Sequence, residues 1–246
     1  MLSEQRYAMI LELLKERHSI SVIELTELLN ISESTARRDI TALDKAGKLV
    51  KVFGGAVAAD NTFLALEPTV AQKTEVQKEE KLRIAKYAAS LIEPEDFVYL
   101  DAGTTTGYML EFLEKTSATF VTNAVAHAQR LAADGTRVFL IGGELKSSTE
   151  AVVGSEAVIS LKEYHFTKGF FGTNGISKTN GFTTPDVNEA LVKRTAVEQC
   201  QKVFILGDSS KFHLVSSVTF SSFHGKKILT DRIPDEYREI SDIIVC

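Results

Sequence analysis

The sequence predicts an α/β protein in two parts: a small N-terminal winged helix-turn-helix and a larger, mainly parallel α/β domain. Three observations predict it. The first 47 residues hold three short helical patterns, and a glycine-centred hairpin pattern follows them. Later in the chain, short continuous apolar runs alternate with helical patterns, and those runs end one after another in small or polar residues. At 246 residues, 44% hydrophobic and 25% charged, the chain is long enough for a sizeable core and has the composition of a folded protein. The boundaries read as 1–58 for the small domain, 59–74 for a linker of no clear period containing Pro68, and 75–246 for the large domain.

In the small domain, Ile10, Leu13 and Leu14 recur at helical spacing before "HSIS" interrupts them. "SVIELTELLN" opens with Ser21 and Glu24 three residues apart, the arrangement of a capping box, and stops at Asn30. The third helix starts at Ser32 and ends at Gly47. "KLVKVFGGAVA" alternates around Gly54-Gly55 and reads as a short hairpin.

The third helix has two chemically different sides. On a wheel of 100° per residue Ser34, Arg37, Arg38 and Thr41 fall on one side, with Ala36, Ile40 and Leu43 opposite. A pair of guanidinium groups flanked by hydroxyls suits both phosphate contacts and bidentate reading of guanine edges in a major groove. A solvated helix face would carry the same letters, but two preceding helices and a following hairpin make the winged pattern. Thr35 lies in the first turn of that helix, and Lys48 and Lys51 fall on the hairpin, within reach of the same duplex. Charge agrees with this placement. Residues 1–58 carry eight basic and eight acidic residues, yet residues 34–58 hold Arg37, Arg38, Lys45, Lys48 and Lys51 against Asp39 and Asp44 only. The net charge of −5 belongs to the remainder.

In the large domain the apolar runs FVYL, FVT, VFLI, GFF, VFIL and KIL end at Asp101-Ala102-Gly103, Asn123-Ala124, Gly142-Gly143-Glu144, Gly172-Thr173-Asn174, Gly207-Asp208-Ser209 and Thr230-Asp231, and DIIV closes the series. Helical patterns between them include "GYMLEFLEK", "AHAQRLAADG", "AVVGSEAVISLKEY" and "DVNEALVKRTAVEQC", while "LVSSVTFSSFHGKK" reads as an irregular edge. In such sheets ligands gather outside the carboxyl ends of the strands. "DAGTTTG" is the candidate anion site among these ends. Gly103 permits close backbone approach, Thr104, Thr105 and Thr106 offer hydroxyls, and a helix beginning near Thr106 adds N–H groups. An ordinary turn with a helix cap would look the same. Asn123 is either a ligand for sugar hydroxyls or a cap, Gly142 and Gly143 a close approach or a turn, and Lys211 a solvated cation or one facing the crevice. Glu189 and Lys193, spaced i,i+4, read as ordinary helix support.

Several classes are excluded. Neither G-x-x-x-x-G-K-[ST] nor G-x-G-x-x-G occurs, so no nucleotide cofactor is expected. The five histidines, 18, 127, 165, 213 and 224, show no metal-ligand spacing, and Cys200 and Cys246 make no disulfide framework, which fits a reduced cytoplasmic setting with no metal. No apolar run approaches the roughly 18 residues of a membrane span.

"STARRDITALDKAGKLVKVFGGAV" resembles the DNA-binding segment of the DeoR-type bacterial transcriptional regulators, matching it at Arg37, Arg38, Asp39, Leu43, Asp44, Gly47, Leu49, Gly54, Gly55 and Ala56. It departs at Ala36, where the family has Ile or Val, at Ile40 for Leu and at Phe53 for His. "LDAGTTT", "VTNA", "IGGEL", "VVGSEA", "FFGTNGIS", "GFTTPDVNEA" and "ILGDSSKF" look like the effector domain of the same regulators, a domain similar in fold to ribose-5-phosphate isomerase and related sugar-phosphate isomerases. The resemblance covers nearly the whole chain. It implies a repressor of a sugar-utilisation operon, such as a fructose or other phosphotransferase-system operon of Gram-positive bacteria. The implied partners are double-stranded operator DNA, a phosphorylated sugar such as fructose-1-phosphate, and further copies of the chain. The implied effector contacts are Asp101, Gly103, Thr104, Thr105, Thr106, Asn123 and Lys211. An isomerase carrying an accessory DNA-binding domain is the alternative, but the acidic Asp-Gly-Ala-Asp and Lys-Gly-x-Gly-Gly segments of ribose-5-phosphate isomerases do not occur.

Overall fold

Helix α1 (Ser3–Arg17), strand β1 (Ser19–Ser21), helices α2 (Val22–Leu29) and α3 (Glu33–Lys45), and strands β2 (Leu49–Val52) and β3 (Gly55–Ala58) make up the N-terminal part of the computed structural model. It describes residues 3–17, 19–52, 54–58, 63–64 and 69–246; His18, Phe53 and Pro68 lie outside them. The chain divides into two units, 1–63 and 64–246, and within the stretch expected to be a linker Val70–Thr74 is helical.

The capping box of Ser21 and Glu24 starts α2, and Asn30, in the left-handed conformation, ends it. Ala36, Ile40 and Leu43 of α3 are buried against Ile10, Leu14, Leu25 and Leu49. "HSIS", expected only as a break, supplies β1, which pairs with β3 and makes the wing a three-stranded sheet in the order β1-β3-β2. That pairing depends on a small residue. A Cβ at Gly55 would stand 2.1 Å from the carbonyl oxygen of Ile20.

The second unit continues through β4 (Phe63–Leu64), α4 (Val70–Thr74), α5 (Lys78–Ser90), β5 (Phe97–Leu100), α6 (Thr104–Met109), β6 (Thr119–Thr122), α7 (Val125–Ala133), β7 (Val138–Leu140), β8 (Glu144–Lys146), β9 (Ala151–Val153) and α8 (Ser155–Leu161). There follow β10 (Phe166–Gly172), β11 (Gly175–Ser177), β12 (Gly181–Thr184), α9 (Val187–Glu198), β13 (Cys200–Leu206), β14 (Val215–Ser216), β15 (Val218–Ser221), β16 (Lys227–Thr230) and β17 (Ile243–Val245). Seven strands form a parallel sheet in the order β17-β16-β13-β10-β5-β6-β7. Alternation along the strands buries both faces. Val98, Leu100, Phe170 and Phe204 pack with α5 and α6, while Tyr99, Phe171 and Ile205 pack with α8 and α9.

From β5 the chain moves outward through β6 and β7, then returns to β10 on the other side of β5. The carboxyl ends of β5 and β10 are therefore the topological switch point, where a crevice opens in this class of sheet. Two segments differ from expectation. Ala151–Val153, placed in a helical pattern, is strand β9 of a hairpin with β8, and Gly154 at φ 96 turns the chain into α8. The supposed irregular edge holds β14 and β15, and β15 joins β11 and β12 in a small antiparallel sheet.

Candidate functional site

The first candidate site is the outer side of α3. Ser32 caps the helix, its hydroxyl accepting the Thr35 N–H at 3.3 Å and lying 3.0 Å from the Ser34 hydroxyl. Ala36, opposite, is fully buried, so the smaller residue at this position lets α3 sit close to its neighbours. Asp39 is also buried and accepts two hydrogen bonds from Arg6, at 2.6 and 3.0 Å, which fixes α3 against α1. Arg37 and Arg38 remain exposed. Arg37 reaches Glu33 at 3.3 Å, and Arg38 donates to the Ser34 carbonyl at 3.3 Å. These are surface contacts of the kind that yield readily to a phosphate or a base. The Thr41 hydroxyl accepts from Lys51 Nζ at 3.0 Å, and the Lys51 N–H donates to Asp44 at 2.8 Å, so the wing strand places its ammonium beside the arginine face. Lys48 is exposed one residue before β2.

The second candidate site is the switch-point crevice. Asp101 leaves β5 fully buried; one oxygen, Oδ2, accepts the Gly172 N–H at 3.0 Å and pairs with the Lys193 ammonium. The other, Oδ1, has no hydrogen-bond partner among the described residues, and neither does the buried Tyr99 hydroxyl two residues before it. Burial pushes the Asp101 carboxyl above its ordinary range, against the pull of Lys193. α6 starts at Thr104, two residues earlier than expected. The Thr106 hydroxyl is directed inward, donating to the carbonyls of Asp101 at 2.7 Å and Gly103 at 2.9 Å, whereas those of Thr104 and Thr105 have no protein partner among the described residues. Beneath this turn His127 is buried, its Nε2 2.9 Å from where a Cβ on Gly107 would stand, and burial lowers its pKa to about 4, so the ring is neutral at pH 7.

The other expected contacts separate into two groups. Asn123 Oδ1 accepts the Ala102 N–H at 2.8 Å and its Nδ2 donates to the Val152 carbonyl at 3.3 Å, so its amide joins β5 to β9 and leaves little for a ligand. Gly143 allows close packing of the hairpin, since a Cβ there would lie 2.5 Å from the Val153 carbonyl; Gly142 faces open space. Lys211, by contrast, belongs to the crevice. It follows β13 with Nζ 3.9 Å from the buried Asp208, and its Cβ lies 3.7 Å from the Cβ position of Gly207, which also faces Thr173 at the end of β10.

Two lysines were not legible as site residues. Lys193 is not held in an i,i+4 pair with Glu189; it bonds Asp101, 92 residues away, while Glu189 accepts from Lys146 at 3.2 Å, from Thr149 and from Thr184. Lys81, in the first turns of α5, is almost wholly buried, and burial together with the charge of Lys211 lowers its pKa to about 8. The strand ends thus carry an unpaired carboxylate oxygen at Asp101 and free hydroxyls at Thr104 and Thr105 after β5, and two ammonium groups, Lys81 and Lys211, near Asp208 after β13. Together these are acceptors for hydroxyl protons and donors for an anion. No group of three His, Cys, Asp or Glu side chains that would hold a metal occurs among the described residues, and no described helix is long and apolar enough to cross a membrane.

Residues 6–62 match the family model of the DeoR-like helix-turn-helix domain, and residues 76–232 match that of the DeoR C terminal sensor domain. An uncharacterized HTH-type transcriptional regulator FruR of Bacillus subtilis is 40% identical, over 92% of this chain and 88% of its own length. The lactose phosphotransferase system repressor of Streptococcus mutans is 36% identical over 96% of this chain and 93% of its own. A putative aga operon transcriptional repressor of Escherichia coli O157:H7 is 34% identical over 94% and 84% respectively. Among solved structures, ribose 5-phosphate isomerase A of Methanocaldococcus jannaschii is similar over 55% of each chain, at 15% identity and a TM-score of 0.42.

Proposed function

The chain belongs to the DeoR family of DNA-binding transcriptional regulators, and on that premise we propose that it represses a sugar-utilisation operon and leaves its operator when a phosphorylated sugar fills the crevice at Asp101. Arg37 and Arg38 read the operator, assisted by the hydroxyls of Ser34, Thr35 and Thr41 and by Lys48 and Lys51 on the wing. Two observations support the effector half: a buried carboxylate oxygen of Asp101 without a partner at the end of β5, and the Lys81 and Lys211 ammonium groups gathered near Asp208 after β13. A sugar hydroxyl satisfies the first and a phosphate the second. Gly103, Thr104 and Thr105 line the phosphate end in this reading. The name of a relative as a lactose phosphotransferase system repressor favours the same class of ligand.

Two of the acidic side chains, Glu189 and Asp208, are engaged as in a sensor, while the free Oδ1 of Asp101 is the one that a turnover test must address. A general base must reach substrate with a free oxygen. Glu189 is held by Lys146, Thr149 and Thr184, and Asp208 accepts from the Ser210 N–H and hydroxyl. Helix-turn-helix proteins bind repeated half-sites as oligomers, so effector binding acts by favouring one arrangement of subunits over another, and a ligand indifferent to the two would shift nothing.

The test uses a duplex selected by the purified protein from a random library. Arg37→Ala and Arg38→Ala should each weaken it by about 1–3 kcal/mol if the side chain makes a bidentate base contact. A panel of phosphorylated sugars, fructose-1-phosphate first, should contain one that stabilises the protein by about 2.7 kcal/mol at 100 times its Kd and also releases the duplex. Turnover of that sugar, or stabilisation without any change in duplex affinity, would overturn the reading.

A further inference from the structure

α4 is five residues long and none of them is buried. A helix that short does not persist on its own, because nucleation is unfavourable and no apolar face holds it. What holds it is a set of polar ties. At its N-terminus Thr69 and Gln72 form a capping box, and the Val70 N–H donates to the Ser148 carbonyl in the turn between β8 and β9 at 3.2 Å. At its C-terminus Lys81 Nζ donates to the Lys73 carbonyl, and the Tyr108 hydroxyl donates to the Thr74 carbonyl at 3.0 Å.

Of those two C-terminal donors, Lys81 belongs to the proposed anion site, and Tyr108 reaches α4 from α6 outside it. Tyr108 lies on α6, the helix opened by the threonine turn, and Lys81 faces Lys211 and Asp208. An ammonium has three protons to donate, and Lys81, 4% exposed, makes one hydrogen bond among the described residues. Its remaining protons are unfilled in a place that favours an anion. The Lys81 bond to the Lys73 carbonyl is already charge-assisted, but a phosphate adds the attraction of an opposite charge, so an arriving anion competes with Lys73 O for the position of Nζ.

We propose that α4 is the element through which the effector site acts on DNA binding: Lys81 bonds the effector anion on one side and caps α4 on the other, and α4 lies, after β4, on the stretch of chain that leads from the DNA-binding unit into the second unit. This rests on the reading of the crevice as an anion site. Its regulation then has a physical carrier, a marginal helix one of whose few ties is a shared ammonium.

The experiment uses full-length protein, the selected duplex, and fructose-1-phosphate, fructose-6-phosphate and inorganic phosphate as probes. Val70→Pro suits the first helical position and an extended Thr69, at ψ 163, and it deletes only the N–H given to Ser148. Tyr108→Phe deletes only a hydroxyl. Both variants should keep the wild-type thermal shift with the stabilising probe. The ratio of duplex affinities without and with that probe, about 5- to 150-fold for ordinary allosteric coupling, should fall toward one. Amide exchange at residues 70–76 should change when the probe binds. An unchanged ratio in both variants, with unchanged exchange, overturns the proposal. If no probe stabilises the wild type, the sugar-phosphate reading fails on that result alone. Lys81→Met still decides the α4 proposal without ligand, since loss of the cap must shift duplex affinity by about fivefold or more, and an unaltered affinity refutes it.

Discussion

Asp101→Asn keeps the shape of the side chain and removes its charge, leaving the Lys193 ammonium, itself 5% exposed, with the Gly172 carbonyl at 3.3 Å as its neighbour. Removing one partner of a buried ion pair costs about 3–5 kcal/mol, because the other charge stays desolvated. Against a total stability of about 5–15 kcal/mol that is about a fifth or more of what holds such a domain folded. The reverse change, Lys193→Met, leaves a carboxylate that can take up a proton. An acid whose folded pKa lies above its unfolded value binds more protons when folded, so the variant loses stability as pH rises from about 3.8 through the raised pKa. Lys193→Met should therefore be more stable at pH 5 than at pH 7, while Asp101→Asn should show no such dependence from this pair. The double variant should cost less than the two single costs added, by about 0.5–3 kcal/mol. The chain has no tryptophan, so urea unfolding is best followed by circular dichroism, fitted with a separate transition for each unit. The Asp101→Asn midpoint should drop by about 1 M or more for a slope of about 1–3 kcal/mol/M. Single variants each within about 0.5 kcal/mol of wild type, or costs that simply add, would refute the buried pair as the floor of the crevice.

Two further outcomes follow from the same geometry. His127 has a pKa of about 4 in the fold against an ordinary 6.5, so it stays neutral where the unfolded chain takes up a proton; stability is complete above pH 6.5 and should fall by about 3 kcal/mol on the way to pH 4. His127→Gln should flatten that part of the pH profile in thermal unfolding, and an unchanged profile would show that the ring is not buried. Gly55→Ala puts a Cβ 2.1 Å from a backbone oxygen that cannot rotate away, so β1 and β3 must part. It should destabilise the DNA-binding unit by about 3 kcal/mol or more and weaken duplex binding, while leaving the thermal shift with sugar phosphate in place.

The α3 face was legible because everything that defines it is local: 100° periodicity fixes which side Arg37 and Arg38 share, and the burial of Ala36, Ile40 and Leu43 follows from the same wheel. The parallel sheet was legible for a related reason, since strands buried on both faces must be continuously apolar. β1 was not, because three residues of "HSIS" show no period and gain their structure only from β3. β9 was hidden in "AVVGSEAVISLKEY" because short apolar runs fit either period, although Gly154 in its midst marked a break that could have been read.

The crevice lysines fail to show in sequence for a deeper physical reason. Lys193 stands four residues after Glu189, and local reasoning pairs them, yet a buried charge is decided by what else is buried near it. Asp101 emerges from β5 at the one place where strand order reverses, so its partner must come from the helix that crosses behind β10, whatever that lysine's neighbours in sequence. A weak signal existed: α9 mixes apolar and charged residues without a clear apolar face, and Glu189 and Lys193 are buried along with Ala190, Val192 and Ala196, leaving a narrow exposed stripe at Val187, Leu191, Arg194 and Glu198. A helix of that kind is covered on more than one side, and its ionisable groups must then find partners in the interior. Lys81 gave no such signal, because "KEEKLRIAKYAAS" is an ordinary amphipathic pattern until α4 folds across its first turn. Charges that a helix alone would leave in water become site residues only when the sheet or a neighbouring helix removes the water, and that removal is a tertiary event.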